Sequence, residues 1–338
     1  MPRPTPFSTA IDRRAVLAGM GSAAALPLLA AAAGRASAAA LAELALYGPP
    51  AGPSITLAHA AASGALASIA DKVSFKVWRN PDEMRAGLTS GTMQAVVLPV
   101  QAAAGLYNRG FPLKLLNVMT KGLLYVISAD TTVTGFADLK GKKLAVPFRN
   151  DTPDLVLARL LKHEKLTAGT DLTVETVGSP VEAIQMLLAG RVDAVLAPEP
   201  AISAAIIRAK GAGKTIARVI DIQKVWGEVS GGQPVLPQAG LALTNAFTGA
   251  NPGAADALQE ALEKVAAAVN AVPEKAAADA ADALEMPAPV IAASVATSNL
   301  VAARASTMRA EIESMLTTLS DADPALIGGK LPDDGFYL

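Results

Sequence analysis

Four short segments carry residue types suited to holding a small polar molecule: Tyr47-Gly48-Pro49-Pro50 running to Pro53 and Ser54, Pro99-Val100-Gln101, Pro147-Phe148-Arg149-Asn150-Asp151-Thr152, and Pro198-Glu199-Pro200. Two of them open helical runs with a proline in the first turn, Pro53 and Pro153, and Thr152 is of a type that caps a helix. A helix start presents unpaired amides and partial positive charge, chemistry suited to a carboxylate, sulfonate, phosphate or polar heterocycle. Arg149 adds a planar donor fork for an anion, or pairs on the surface with Asp151 or Asp154. Glu199 reads either as an acceptor for a ligand amine or ring N–H, or as a helix cap that steadies one conformation. Tyr47 could supply an aromatic wall with a polar tip. The candidate ligand contacts are therefore Tyr47, Pro49, Ser54, Pro99, Gln101, Arg149, Asn150, Asp151, Thr152 and Glu199.

Catalytic and metal chemistry has little to work with. The chain has two histidines and no cysteine, which removes thiolate nucleophiles, thiolate metal ligands and disulfides. His59 falls in an alanine-rich helical stretch and His163 in Lys162-His163-Glu164-Lys165 at a helix end, so no Ser-His-Asp set or His pair can be read. No glycine-rich phosphate cradle occurs either. Catalytic residues, metal ligands and cofactors are all expected to be none. Trp78 reads as core, and Trp226 as a residue for either the core or the ligand site.

The elements that must position these segments repeat. Asn80–Pro99 matches Ser179–Pro198 at a constant offset of 99, pairing Pro81 with Pro180, Glu83 with Glu182, Gly91 with Gly190 and Pro99 with Pro198. Asn80 or Ser179 caps a helix, proline takes the first helical position, glutamate stands where a capping box needs it, and glycine ends the helix. The apolar runs that follow, 94–98 and 193–197, read as short buried strands. Upstream, Leu44-Ala45-Leu46 matches Leu144-Ala145-Val146, and Pro53 matches Pro153. Each half reads β-α-β-α-β, an α/β unit with a mainly parallel sheet. Ligands of such sheets bind beyond the carboxyl ends of the strands, which is where the four segments fall.

Boundaries follow from this pattern. Residues 39–127 form the first part of lobe 1, 128–238 lobe 2, and 239–338 a returning strand with C-terminal helices expected to pack on lobe 1; two crossings make a hinge. A Met308, Met315 and Leu319 stripe reads as core. Residues 1–38 read as a signal peptide: Arg13-Arg14 precede a nearly charge-free stretch from Ala15 to Ala33, and Ala36-Ser37-Ala38 suits cleavage. The paired arginines are similar to a twin-arginine signal. With 29 basic and 30 acidic residues the net charge is −1, so no basic field for nucleic acid exists.

Phe136-Ala137-Asp138-Leu139-Lys140-Gly141-Lys142-Lys143-Leu144-Ala145-Val146, Gly190-Arg191-Val192-Asp193-Ala194 and Pro198-Glu199-Pro200 occur in an order that resembles the periplasmic solute-binding proteins of ABC importers. The similarity is to the type II branch that includes sulfonate, taurine, nitrate and thiamine-pyrimidine-precursor receptors. It implies a two-lobed type II periplasmic binding fold with a two-segment hinge. It also implies a soluble periplasmic monomer that captures a small polar or anionic organic solute and delivers it to an importer permease; with no cysteine, no lipoprotein attachment site is expected. A same-fold enzyme of menaquinone- or pyrimidine-forming type, or a periplasmic sensor or scavenger, is the alternative.

Overall fold

The apolar runs form the inner strands: Leu44, Leu46, Ala95 to Leu98, Leu144 to Val146 and Ala194 to Ala197 are all buried. The computed structural model describes residues 1–3, 41–321 and 323–338. The expected signal, from Arg13-Arg14 to Ala36-Ser37-Ala38, lies outside the described residues.

The first unit runs β1 (Leu41–Gly48), α1 (Pro53–Ala62), β2 (Ala70–Val77), α2 (Pro81–Ser90), β3 (Ala95–Pro99), α3 (Val100–Asn108) and β4 (Leu113–Thr120). The chain then crosses to β5 (Leu124–Ser128), β6 (Lys143–Pro147), α4 (Thr152–His163), β7 (Thr173–Val177), α5 (Pro180–Leu188), β8 (Ala194–Pro198), α6 (Ala201–Gly211), β9 (Ala217–Asp221) and α7 (Ile222–Ser230). It returns through β10 (Ala239–Thr244), α8 (Asn245–Ala250), α9 (Ala254–Ala271), α10 (Pro273–Ala280), α11 (Ala288–Ser298), β11 (Leu300–Arg304) and α12 (Arg309–Ser320).

Two mixed sheets result, in the orders β11-β4-β10-β3-β1-β2 and β7-β6-β8-β5-β9. In each, the first strand of the unit lies parallel between the second and the third. The third then pairs antiparallel with a strand that has just crossed from the other unit: β10 on β3, and β5 on β8. Because β5 belongs to the second sheet, the crossing falls at residues 121–123 and not after residue 127.

The repeated caps form alike. Asn80 accepts from the amides of Asp82 and Glu83, and Ser179 from that of Glu182. Glu83 and Glu182 reach back past the cap to the amides of Arg79 (2.7 Å) and Gly178 (2.9 Å), one residue further than the expected capping box. Pairing also corrects the upstream alignment. Ala95 lies opposite Leu46 and its counterpart Ala194 opposite Leu144, so Leu46 corresponds to Leu144 and not to Val146. A two-residue shift leaves the same face buried.

One apolar core runs through both lobes, joining Trp78, Leu98 and Leu113 to Leu144, Val156, Leu196 and Trp226. Ile312, Met315 and Leu316 of α12 enter it, with Met308 and Leu319 also buried. The C-terminal helices therefore do not all stay on lobe 1. The helices α9 and α10 pack on α1, but α11 packs on α6, and α12 on α4 and α7. The two crossings lie side by side, Leu236 donating its amide to the carbonyl of Lys121 at 2.9 Å. Asn299, just after α11, clamps them: its Nδ2 donates to the Gly122 carbonyl at 2.7 Å and its own carbonyl accepts from the Lys121 amide at 3.0 Å. Gly122 stands at φ 123°, and a Cβ there would lie 2.1 Å from Cγ of Gln223, so only glycine fits.

Candidate functional site

The strand ends of both sheets meet around a cavity of about 80 Å3. Pro49, Ala51 and Pro53 reach it from the β1–α1 turn, Pro99 from the end of β3, Phe148, Asp151 and Thr152 from the β6–α4 turn, and Pro198 from the end of β8. Trp78 and Pro81 add a wall after β2, and Leu123 and Gln238 come from the two crossings.

Asp151 dominates the polar side. It caps α4, Oδ1 accepting from the Thr152 amide at 2.8 Å, and is largely buried. Gln101, at the start of α3 in the first lobe, donates Nε2 to the same Oδ1 at 3.1 Å, and its Oε1 accepts from the Thr152 hydroxyl at 3.1 Å. These bonds tie the lobes together beside the cavity. Burial raises the Asp151 carboxyl above its ordinary value, opposed by the Thr152 amide, the charge of Arg85 and the Gln101 and Thr152 side chains.

The β6–α4 turn is built from strained backbone: Phe148 and Asn150 both stand at φ 61°, a conformation that costs a residue with a Cβ about 1 kcal/mol or more. Phe148 is held by its amide to the Val177 carbonyl (2.9 Å) and by accepting from the Asp151 amide (3.0 Å). The left-handed turn brings the phenyl ring to the cavity wall and leaves Arg149 exposed.

Among the expected contacts, Pro49, Pro99, Asp151 and Thr152 come together around the cavity, with Gln101 bonded to the last two. The others do not face it. Tyr47 packs on the core. Ser54 is buried with its hydroxyl donated to the Pro49 carbonyl. Arg149 and Asn150 are exposed, the latter giving its amide to Asp154. Glu199 is fully buried and its carboxylate is taken up within the protein, by Nε of Arg218 (2.8 Å), Nη2 of Arg218, the Ser203 amide (3.1 Å) and the Thr297 hydroxyl (2.8 Å). The geometry gives it the cap role. Trp226 is core.

Trp78, Leu123, Phe148 and Gln238 were not among the candidates. Trp78 follows a strand end, so the strand-end rule could have found it. Leu123 and Gln238 lie on crossings, which must floor any cleft between lobes. Among the described residues no group of His, Asp and Glu is placed to hold a metal ion, and His59 is spent on Asp279 at 2.6 Å. No helix among them is long and apolar enough to cross a membrane.

Residues 81–285 match the NMT1-like family, a span running from the start of α2 to the α10–α11 turn. The chain belongs to the NMT1-like family. This NMT1-like chain matches no curated protein, but its fold is shared with solved structures. An ABC transporter protein from Parabacteroides distasonis superposes with a TM-score of 0.73 at 21% identity, over 87% of this chain and 98% of that one. The periplasmic aliphatic sulphonate binding protein SsuA from Escherichia coli gives 0.68 at 19%, over 86% and 94%. The periplasmic nitrate-binding protein NrtA from Synechocystis PCC 6803 gives 0.59 at 16%, over 74% and 69%. The NMT1-like chain thus has the α/β, two-sheet fold of type II periplasmic binding proteins.

Proposed function

We propose that this NMT1-like protein is the substrate-binding component of an ABC importer: an exported, periplasmic monomer that closes two lobes over a small polar organic solute and presents it to a permease. The observation that carries this reading is the cavity itself, walled by strand-end turns of both sheets and floored by both crossings. A site so divided opens when the crossings flex and closes when Gln101 meets Asp151 and Thr152. Among the described residues the cavity's one ionisable lining residue is Asp151, and the other fourteen hold and shape a solute, which supports a binding role.

Thermal melts against sulfonates, nitrate, carboxylates, amines and pyrimidines test the reading. A solute at a hundredfold excess over its dissociation constant adds about 2.7 kcal/mol, or about 4 °C for a body of roughly 300 residues. Ala51→Phe, which fills the cavity from a surface turn, is expected to remove the shift. Closure is read by energy transfer between dyes on Thr89→Cys and Val181→Cys, unique sites in a chain without cysteine. A solute that binds without changing the transfer efficiency, or that binds Ala51→Phe equally well, overturns the proposal.

A further inference from the structure

On the first unit, α1, α9 and α10 enclose a groove of about 490 Å3, within the range of about 300–1,000 Å3 that small-molecule sites occupy. It shares no lining residue with the cavity at the strand ends. Pro53 opens α1 at that cavity, whereas His59 and the C-cap residue Ser63 line the groove.

Only one nitrogen of His59 is taken by Asp279. The histidine side chain is more than nine-tenths buried, and its Nδ1 lies 2.6 Å from Oδ2 of Asp279 on α10. A carboxylate can only accept, so Nδ1 carries the proton of the neutral ring and Nε2 presents a lone pair. Among the described residues Nε2 has no hydrogen-bond partner, yet it is not sealed in: the buried side-chain atoms without a partner are Oγ1 of Thr56 and Oε1 of Gln238. With so little of the side chain exposed, Nε2 opens onto the groove that His59 lines. A ring fixed in one tautomer by a carboxylate is organised in advance to accept a hydrogen bond from a visitor.

Charges of both signs rim the same space. Glu260 and Lys264 come from α9 and Lys275 from α10, all exposed. Among the described residues the lysine ion pairs are Lys72 with Glu43 and Lys142 with Asp130, so the three rim charges are unpaired. Glu260 and Lys264 stand one turn apart on α9, as Lys275 and Asp279 do on α10, so each wall sets a donor beside an acceptor. A simple anion would meet Glu260 and the Nε2 lone pair, and a simple cation would meet two lysines. Ala65, Ala257, Ala261, Val265 and Ala268 give the groove an apolar surface.

We propose that this groove is a second small-molecule site, separate from the cleft between the lobes, and that it takes an amino acid in its zwitterionic form. The ammonium group donates to Nε2 of His59 and to the Glu260 carboxylate, the carboxylate accepts from Lys264 and Lys275, and the side chain rests on the alanines. Exposed lysines alone hold an anion weakly, so His59 supplies the discrimination.

Titration calorimetry of the full chain with glycine, L-leucine, isocaproate and isoamylamine tests the assignment, the last two being leucine without its amine and without its carboxylate. At least one amino acid is expected to bind about tenfold or more tightly than both single-charge probes. His59→Asn, which keeps a donor for Asp279 and removes Nε2, is expected to weaken that binding about tenfold or more, and so is Lys264→Ala combined with Lys275→Ala, two exposed positions where folding is not at stake. Ala51→Phe, which fills the cavity between the lobes, is expected to change it less than twofold. No binding by either amino acid, equal binding of either single-charge probe, or indifference to the lysine double variant overturns the assignment. Loss of binding in Ala51→Phe also overturns it, because the amino acid then sits in the cleft.

Discussion

Replacing Glu199 by alanine removes a carboxylate that is fully buried and shared by three elements: Arg218 on β9, the Ser203 amide inside α6, and the Thr297 hydroxyl on α11. Deleting one partner of a buried ion pair costs about 3–5 kcal/mol, because the charge left behind has no compensation. Arg218 keeps 26% of its side chain exposed, so it regains part of its hydration and the loss falls near the lower end, about 3 kcal/mol. The unfolding entropy of roughly 300 residues at about 2.1 cal/mol/K each is about 0.6 kcal/mol/K, so the midpoint drops about 5 °C. Thermal and urea melts of the wild type, Glu199→Ala, Thr297→Val and the double variant measure the loss and its coupling to α11. Solute affinity of Glu199→Ala is expected to stay within about threefold, a difference of less than 0.7 kcal/mol, since the residue does not line the cavity. A midpoint within 1 °C of wild type combined with lost binding would refute the reasoning and return Glu199 to the ligand.

Other consequences can be checked as directly. Burial raises the Asp151 carboxyl, so the folded protein holds that proton to a higher pH than the unfolded chain, and stability falls as pH rises from about 4 through the raised value. Asp151→Asn should therefore melt above wild type at pH 7, with the gap closing toward pH 4; a gap that is constant with pH counts against the buried carboxylate. Asp130 is held at about 2, chiefly by the Thr132 hydroxyl and then by Lys142, so its contribution is present above about pH 4 and lost as pH falls toward 2. Thr132→Val should raise its titration midpoint in a carboxyl NMR experiment. Gly122→Ala should cost about 1–3 kcal/mol in a urea melt, from a Cβ at positive φ against Gln223.

The units were legible because their signals are local. Asn80 and Ser179 name a helix start with the proline and glutamate that follow, and the buried strands between them have few alternatives. The strand-end rule pointed to Pro49, Pro99, Asp151 and Thr152, which the structure places around the cavity. Side-chain direction in an irregular turn is another matter. Nothing in Phe148-Arg149-Asn150 announces that Phe148 adopts a left-handed conformation and joins the wall while Arg149, read either as an anion donor or as a surface residue, stays exposed. Gln238 was invisible for a different reason: its role depends on the return crossing lying beside Leu123, a contact between segments more than a hundred residues apart. The partners of Glu199 lie 19 residues on at β9 and 98 on at α11, so the balance between cap and ligand acceptor is set by packing.

The traded central strands bear on synthesis. Until β10 is made, β3 lacks its antiparallel neighbour, although β1 to β4 have already left the ribosome. Roughly 120 residues separate those moments, about 6–24 s at 5–20 residues per second. Throughout that interval the nascent chain exposes an unfinished sheet edge, the kind of surface chaperones guard.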